Sequence, residues 1–247
     1  MLSARQQHCL KGIGIRYWVD RSAALVMQAA DSVAEPIVDS QAQIEEVAPP
    51  VETAPLPVVA RQLDNWDQIS ASITHCQACE LAKSCTQKVA GTGNLNADVL
   101  IIGEGPGHDE DIQGEPFVGR SGKLLDKILA TIGLSRDQVY ITNIVKCRPP
   151  NNRDPRAEEA KQCRAFLDAQ IKQIAPRVIL SVGRISAQNL LESNLPVGKL
   201  ISGKHRLPES EIPVKVTYHP SYLLRNPAAK SIAWEGLKEL HSMLAND

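Results

Sequence analysis

Short apolar runs alternate with segments of helical periodicity along the chain from residue 63 onward. The apolar runs are typical of strands buried on both faces and predict strands at residues 99–102, 139–145, 178–182 and 214–218. The spacing of apolar residues between them predicts helices at residues 65–74, 122–132, 155–174 and 185–191. Because strands and helices alternate, we expect an α/β domain whose mainly parallel sheet is covered on both faces.

Two of these helices carry recognisable start signals. Ser121 is the predicted N-cap of the helix at residues 122–132. Asp154 is the predicted N-cap of the helix at residues 155–174, because Pro155 would take its first position and acidic residues fill its first turn. These residues set where both helices are expected to begin.

Each predicted strand ends in a polar or glycine-rich stretch. The residues at these ends are Gly103, Glu104, Asn143, Gly183 and His219. Because the carboxyl ends of parallel strands lie on one edge of a sheet, we expect these residues to meet at a single crevice. The loop after the first strand is glycine-rich, acidic and too long for a simple connector. The pattern therefore predicts one site built from four loops.

Composition divides the chain into three parts. Residues 1–28 hold a basic and aromatic peptide followed by a short apolar patch, and we interpret them as a docking segment too small for a core of its own. Residues 29–62 are rich in Ala, Pro, Val and Glu without helical or strand periodicity, which predicts a flexible, disordered linker. Residues 63–247 are predicted to form the globular domain.

Charge and hydropathy argue against a general nucleic-acid coat, a membrane-spanning protein and a secreted protein. The 247-residue chain has a net charge of −1, with −3 in residues 1–60 and +2 in the remainder. This is not the basic composition of a general nucleic-acid coat, so any contact with nucleic acid must be local. The sequence has no run of about 18 apolar residues and no compact signal sequence. We therefore expect a cytoplasmic protein.

Four of the six cysteines are candidates for one metal centre: Cys76, Cys79, Cys147 and Cys163. A C-x2-C turn with two further thiolates suits tetrahedral zinc or an iron–sulfur cluster. The spacing is not that of a zinc ribbon, and ordinary buried thiols are the remaining alternative. Cys85 lies close enough to the C-x2-C pair to be confused with a ligand, but it is left outside this set.

Four segments in this order resemble the family-4 uracil-DNA glycosylases, the iron–sulfur branch of that superfamily. They are the C-x2-C turn with its two distant cysteines, GEGPGHDEDIQGEPFVGRSGKLLD, VYITNIVKCRPP and HPSYLLRNP. The resemblance runs from Cys76 to the C-terminus. It implies a three-layer α/β/α domain with a four-stranded mainly parallel sheet, and a [4Fe–4S] cluster on the four candidate cysteines. It also implies a base-excision repair enzyme that flips uracil out of DNA and hydrolyses its N-glycosidic bond, which leaves an abasic site.

Within this resemblance, three side chains are expected to bind the extruded base. Asn143 offers both a donor and an acceptor for uracil O4 and N3–H, and Phe117 would stack on the ring. His219 would donate a hydrogen bond to uracil O2 as negative charge develops on the leaving base. The alternative readings are a turn-forming asparagine, a core phenylalanine and a structural histidine.

The first motif is expected to supply the remaining catalytic groups. Glu104 is the candidate for orienting the attacking water, and Gly105 occupies a position where other branches of the superfamily carry a water-positioning side chain. Glu110 is expected near the uracil C5 edge, where it would exclude the methyl group of thymine. A solvated loop carboxylate is the alternative for both acids.

The last motif is expected to grip DNA. Ser221 would bond phosphate oxygens, Leu223 and Leu224 would wedge into the space left by the base, and Arg225 would contact the backbone; the alternative places both leucines in the core. Further positive charge beside the crevice is expected from Lys146, Arg148, Arg153, Lys204 and Arg206.

The sequence supports two different functional hypotheses. The first is a monomeric, monofunctional uracil-DNA glycosylase acting on single- and double-stranded DNA. The second is a catalytically weak accessory protein of the replisome, because residues 10–21 resemble the N-terminal peptide of the psi subunit of bacterial clamp loaders. That resemblance implies a clamp-loader or other replisome contact through residues 1–28.

Overall fold

The computed structural model describes residues 11–12, 63–208 and 210–245, and within them the chain forms one mixed sheet of six strands in the order β1-β3-β2-β4-β6-β5. The strands are β1 (Thr92–Gly93), β2 (Val99–Gly103), β3 (Tyr140–Asn143), β4 (Val178–Val182), β5 (His205–Arg206) and β6 (Pro213–Thr217). The four central strands are parallel neighbours, and β1 and β5 pair antiparallel at the two edges. The predicted α/β fold is confirmed.

The predicted strand count is wrong, because four strands were expected. The four predicted apolar runs became β2, β3, β4 and β6. The two additional strands have only two residues each and are partly exposed, so neither has the apolar run that marks a buried strand. Their pairing depends on a long neighbouring strand and leaves no local signal.

Helices connect the strands and cover both faces of the sheet. They are α1 (Trp66–Thr74), α2 (Leu81–Ser84), α3 (His108–Gln113), α4 (Arg120–Thr131), α5 (Ala157–Ile174), α6 (Arg184–Leu190), α7 (Val197–Ser202), α8 (Pro220–Arg225) and α9 (Lys230–Ala245). Every residue of β2 and β4 is buried, as expected for strands covered on both sides. Helix α1 packs against α5, α4 against α8, and α9 against β6.

Both predicted N-caps are wrong by two residues. Gly119, rather than Ser121, precedes α4. Arg156, rather than Asp154, precedes α5, where its backbone N–H donates to Glu159 Oε2 at 2.8 Å. The helix therefore begins at Ala157, and the Asp154 side chain is left for another role.

The predictions for residues 1–28 and 29–62 fall on a part of the chain that, apart from residues 11 and 12, lies outside the described residues. After the gap, the described residues resume at Leu63, and the predicted domain boundary at residues 62 and 63 stays a prediction. No helix of the described residues is long and apolar enough to cross a membrane.

Candidate active site

The polar strand ends meet at the carboxyl edge of the central sheet, around a cavity of about 760 Å³. The predicted residues that line it are Glu104, Gly105, Glu110, Phe117, Asn143, Gly183, His219, Ser221 and Arg225. The parallel register places Gly103 of β2 directly opposite Asn143 of β3. The expectation that distant segments converge on a single crevice is therefore confirmed.

Asn143 and Phe117 face each other across Gly103. A Cβ atom on Gly103 would lie 2.4 Å from Asn143 Oδ1 and 2.6 Å from Phe117 Cζ, so this position has room only for hydrogen. Asn143 is 2% exposed, and its Oδ1 has no hydrogen-bond partner among the described residues. A buried acceptor left unpaired is costly, which makes it suited to a ligand that brings its own donor.

Phe117 is held in an unusual backbone conformation. Its φ is 55°, which is strained for a non-glycine residue. Arg136 donates to the Phe117 carbonyl at 3.1 Å and to the Pro116 carbonyl, and it pairs with Asp126 at 3.1 Å. Gly122 gives this turn room, because a Cβ there would lie 1.6 Å from the Phe117 carbonyl oxygen. The sequence offered no signal that Arg136 positions the aromatic ring.

His219 lies beside Phe117, with the ring centroids 5.6 Å apart and the planes inclined by 31°. Its Nδ1 accepts the backbone N–H of Ser221 at 3.1 Å and lies 2.7 Å from the Ser221 hydroxyl. Burial, together with the charge of Arg225, lowers the pKa of His219 to about 4. The ring is therefore neutral near pH 7 and carries its proton on Nε2, which makes that atom a hydrogen-bond donor.

The two acidic residues of the first motif have different surroundings. Burial, reinforced by the neighbouring charge of Asp154, raises the pKa of Glu104 to about 7. Glu110 is 8% exposed and accepts three backbone N–H groups, from Gly107, Val118 and Gly119, at 3.0–3.1 Å. The first carboxyl is thus poised to exchange a proton, whereas the second braces the loop that carries Phe117.

The residues expected to grip DNA separate into two groups. Ser221 and Arg225 line the main cavity and also an adjoining one of about 410 Å³, which Leu224 borders. Leu224 is 40% exposed, whereas Leu223 is 1% exposed and lies among apolar side chains of α4 and α9. The structure therefore favours the core reading for Leu223 and leaves Leu224 as the exposed apolar side chain beside the crevice.

Lys146 was expected to add surface charge, and this prediction is wrong because the side chain is 1% exposed. Its ammonium donates to Thr142 Oγ1 at 2.7 Å, to the Asn143 carbonyl at 2.8 Å and to Gln170 Oε1 at 2.7 Å. All three donors of the ammonium are satisfied inside the protein. The lysine thus supports β3 just beneath Asn143.

The model of the uracil DNA glycosylase superfamily matches residues 90–238, which contain the whole crevice. The chain belongs to the uracil-DNA glycosylase superfamily. A type-4 uracil-DNA glycosylase of Archaeoglobus fulgidus is 44% identical over 171 residues, which cover 67% of this chain and 86% of that protein. A type-4 uracil-DNA glycosylase of Thermotoga maritima is 39% identical over 189 residues, covering 72% of this chain and 94% of that protein.

A more distant relative lies in a neighbouring branch of the superfamily. A type-5 uracil-DNA glycosylase of Pyrobaculum aerophilum is 31% identical over 170 residues, covering 63% of this chain and 74% of that protein. The type-4 relatives are more similar than this one. The resemblance to the family-4 enzymes of the uracil-DNA glycosylase superfamily is therefore confirmed.

The four cysteines that the family-4 resemblance assigns to an iron–sulfur cluster come from three parts of the fold. Cys76 and Cys79 lie between α1 and α2, Cys147 follows β3, and Cys163 lies within α5. All four belong to or pack against one hydrophobic cluster, and none forms a disulfide. Burial raises the pKa of Cys163 to about 11, and the charges of Cys79 and Cys76 add to this effect.

The four thiols are suitable ligands for an iron–sulfur cluster, and they lie near one another. Three separate segments bring them close enough to influence one another's ionisation, and a metal would stabilise the thiolate forms that burial disfavours. Among the described residues, however, no group of three or more His, Cys, Asp or Glu side chains is placed to hold a metal ion. Cys85 also lies within hydrogen-bonding reach of Cys147.

Proposed function

We propose that this chain is a monofunctional uracil-DNA glycosylase that hydrolyses the N-glycosidic bond of an extruded deoxyuridine. The observation that carries the proposal is the convergence of Phe117, Asn143 and His219 on one cavity, where Phe117 lies next to His219 and, across Gly103, next to Asn143. Family membership and the type-4 relatives support the same activity. Uracil within a duplex is out of reach of such a cavity, so the nucleotide must first be flipped out.

The Asn143 amide would select the base. Its unpaired Oδ1 would accept uracil N3–H, and its Nδ2 would donate to uracil O4. Cytosine presents an acceptor at N3 and a donor at its amino group, so both hydrogen bonds would fail with that base. The Phe117 ring would stack on the face of uracil and hold it in plane.

His219 would stabilise the leaving base, and Glu104 would activate the attacking water. As the C1′–N1 bond breaks, its electron pair leaves with uracil N1, and the neutral His219 donates from Nε2 to the developing charge on O2. A preorganised donor of this kind typically lowers the barrier by about 2.7–4 kcal/mol. Water forms the new bond to C1′, and Glu104 takes its proton. Gly105 lies beside Glu104 at the cavity, and a Cβ there would lie 2.8 Å from Val145 Cγ2, so glycine lets this loop pack closely against Val145.

The DNA strand would be held at the mouth of the cavity. The Arg225 guanidinium is available there for phosphate oxygens, and the Ser221 hydroxyl would bond a phosphate in place of its present partner, His219 Nδ1. The exposed Leu224 is the side chain we assign to the space vacated by the base. This assignment predicts salt-sensitive binding with few phosphate contacts, in keeping with the low net charge.

We further propose a [4Fe–4S] cluster on Cys76, Cys79, Cys147 and Cys163. The support is the donor set of four neighbouring thiols and membership in the iron–sulfur branch. When bound, the cluster would supply iron–thiolate links that tie the segment around α2 to β3 and α5. We assign it a structural role, because no step of the hydrolysis requires electron transfer.

The test measures uracil release from a uracil-containing oligonucleotide with the purified, iron-loaded protein. Wild type should release uracil and leave an intact abasic strand. Asn143→Ala should lower kcat/KM by at least about 100-fold, because two hydrogen bonds to the base are lost, whereas the exposed Asn96→Ala should match wild type. No release by cluster-containing wild type would refute the proposal and favour the accessory-protein hypothesis.

The proposed contact of residues 1–28 with a clamp loader or another replisome component rests on the sequence resemblance alone. It predicts that the full chain binds clamp-loader subunits and that a variant lacking residues 1–28 does not. Uracil release by the shortened variant should equal that of the full chain. Equal binding by both proteins would contradict this assignment.

A further inference from the structure

Asp154 does not cap α5, although the sequence predicted that it would. The first turn of α5 is capped through Glu159, which also binds Arg153 in a two-point ion pair at 2.7 and 2.8 Å. The Asp154 carboxylate instead forms an ion pair with Arg184, the first residue of α6, and a hydrogen bond with Glu104. Three segments distant in sequence thus meet through these side chains at the wall of the cavity.

Many charged or titratable groups line this cavity, but few act on Glu104. Those of the lining are Glu104, Glu110, Arg153, Asp154, Arg184, Tyr218, His219, Tyr222 and Arg225. Arg153 is engaged by Glu159, Glu110 by three backbone N–H groups, and His219 is neutral. The charges that shift the ionisation of Glu104 are those of Asp154, which favours the protonated form, and Arg184, which favours the carboxylate.

We propose that Asp154 and Arg184 are a positioning pair that orients the Glu104 carboxyl and sets its charge for water activation. The inference rests on the proposed glycosylase function and on the assignment of Glu104 as the base. When Glu104 is protonated, it donates to Asp154; when it is ionised, the guanidinium of Arg184 offsets the repulsion between the two carboxylates. A base works best when its pKa lies near the working pH. Burial and Asp154 together raise the pKa of Glu104 to about 7, whereas burial without an acidic neighbour would raise it less.

The pair makes a prediction that a purely structural contact does not make. Removing Asp154 should make Glu104 easier to ionise, and removing Arg184 should make it harder to ionise. The two substitutions therefore have opposite signs. Both side chains are about half exposed, at 58% and 50%, so solvent weakens each effect and the fold should tolerate their loss.

The experiment measures single-turnover uracil release from a single-stranded oligonucleotide between pH 5 and 9, using the iron-loaded full chain. Wild type should gain activity with rising pH, with a midpoint near 7. Asp154→Asn should move this midpoint down by about 0.5–1 pH unit, and Arg184→Gln should move it up by a similar amount. Arg164→Gln and Asp168→Asn provide controls, because these residues form an ion pair of similar exposure on α5.

A second measurement follows Glu104 without catalysis. In protein labelled with ¹³C at glutamate carboxyls, the Glu104 resonance is the one that disappears in Glu104→Gln. Its titration midpoint should move in the same opposite directions in the Asp154 and Arg184 variants. Agreement between the two midpoints supports the pair as the control of Glu104 ionisation.

The failures are distinguishable. Midpoints that stay fixed, or that shift in the same direction in both variants, would overturn the positioning pair while uracil release by wild type leaves the glycosylase function intact. Full activity in Glu104→Gln would overturn it as well, because the base would then lie elsewhere. Absence of uracil release in wild type would refute the proposed function, and the carboxyl titration alone would then decide whether the pair acts on Glu104.

Discussion

Replacing Glu110 by glutamine tests how the first motif supports the active site. The carboxylate accepts the backbone N–H groups of Gly107, Val118 and Gly119, and so joins the start of α3 to the turn that carries Phe117. Glutamine has nearly the same shape, but one of its terminal groups is a donor. The substitution therefore removes acceptor capacity with little change in volume.

The expected cost follows from the three hydrogen bonds. One backbone N–H would face the new amide N–H₂ and lose its partner, and the two others would bind a neutral oxygen in place of a charged one. Hydrogen bonds to charged groups contribute about 1.5–3 kcal/mol, and neutral ones about 0.5–1.5 kcal/mol. The loop conformation should therefore be destabilised by about 4–5 kcal/mol, which corresponds to a loss of about 1,000-fold or more in kcat/KM if catalysis requires the ordered loop.

The assay compares release of uracil and thymine from matched oligonucleotides by wild type, Glu110→Gln and Glu115→Gln. Glu115 is the control because it is an exposed acid of the same loop. The bracing role predicts that Glu110→Gln loses uracil release, gains no thymine release, and shows faster hydrogen exchange at Val118 and Gly119. The role predicted from the family resemblance, exclusion of the thymine methyl group, predicts a gain of thymine release instead.

Two results would refute the bracing argument. Uracil release at the wild-type rate would show that the loop does not depend on this carboxylate. Release of thymine, with unchanged exchange at the loop amides, would place the function of Glu110 at the base edge. A loss of release that equals the loss in Glu115→Gln would be traced to net charge rather than to the three hydrogen bonds.

Three further predictions follow from the same structure. Gly103→Ala should lower kcat/KM for uracil release by about 10-fold or more, because the new Cβ would lie only 2.4 Å from Asn143 Oδ1 and push that side chain out of place. Gly198→Ala is the control and should retain activity in the same assay, because the nearest atom to its new Cβ lies 3.9 Å away. Lys146→Met should lower the free energy of unfolding by about 2–4 kcal/mol in urea titrations, because three buried acceptors lose their donor. Because burial lowers the pKa of His219 to about 4, the unfolded chain gains a proton below pH 6.5 before the folded protein does. Wild type should therefore lose about 3 kcal/mol more unfolding free energy than His219→Gln between pH 7 and pH 4, and equal losses would contradict the buried neutral ring.

The central sheet and the location of the crevice could be predicted from the sequence. Four apolar runs correspond to β2, β3, β4 and β6, because a strand buried on both faces leaves a continuous apolar signal. Polar and glycine residues directly after those runs then had to share one edge of a parallel sheet. Asn143, Gly183 and His219 met at that edge for this reason.

What the sequence could not decide was the partner of each polar side chain. Lys146 looks like a surface cation in the sequence, yet Thr142 and Gln170 enclose it. Asp154 looks like a helix cap in the sequence, yet its carboxylate forms an ion pair with Arg184 and a hydrogen bond with Glu104. The apolar Leu223 and Leu224 are neighbours in sequence, but one is buried and the other is exposed.

The physical reason is the range of the interactions. Burial of an apolar run depends mainly on its own composition, so the chain determines it locally and the strands can be found by inspection. The charge and hydrogen bonds of a polar side chain depend in addition on groups that are distant in sequence, such as Ala90, whose carbonyl accepts from Gln170 across a separation of 80 residues. Only packing of the helices against the sheet brought those groups together, and that packing decided which polar residues serve the site and which support it.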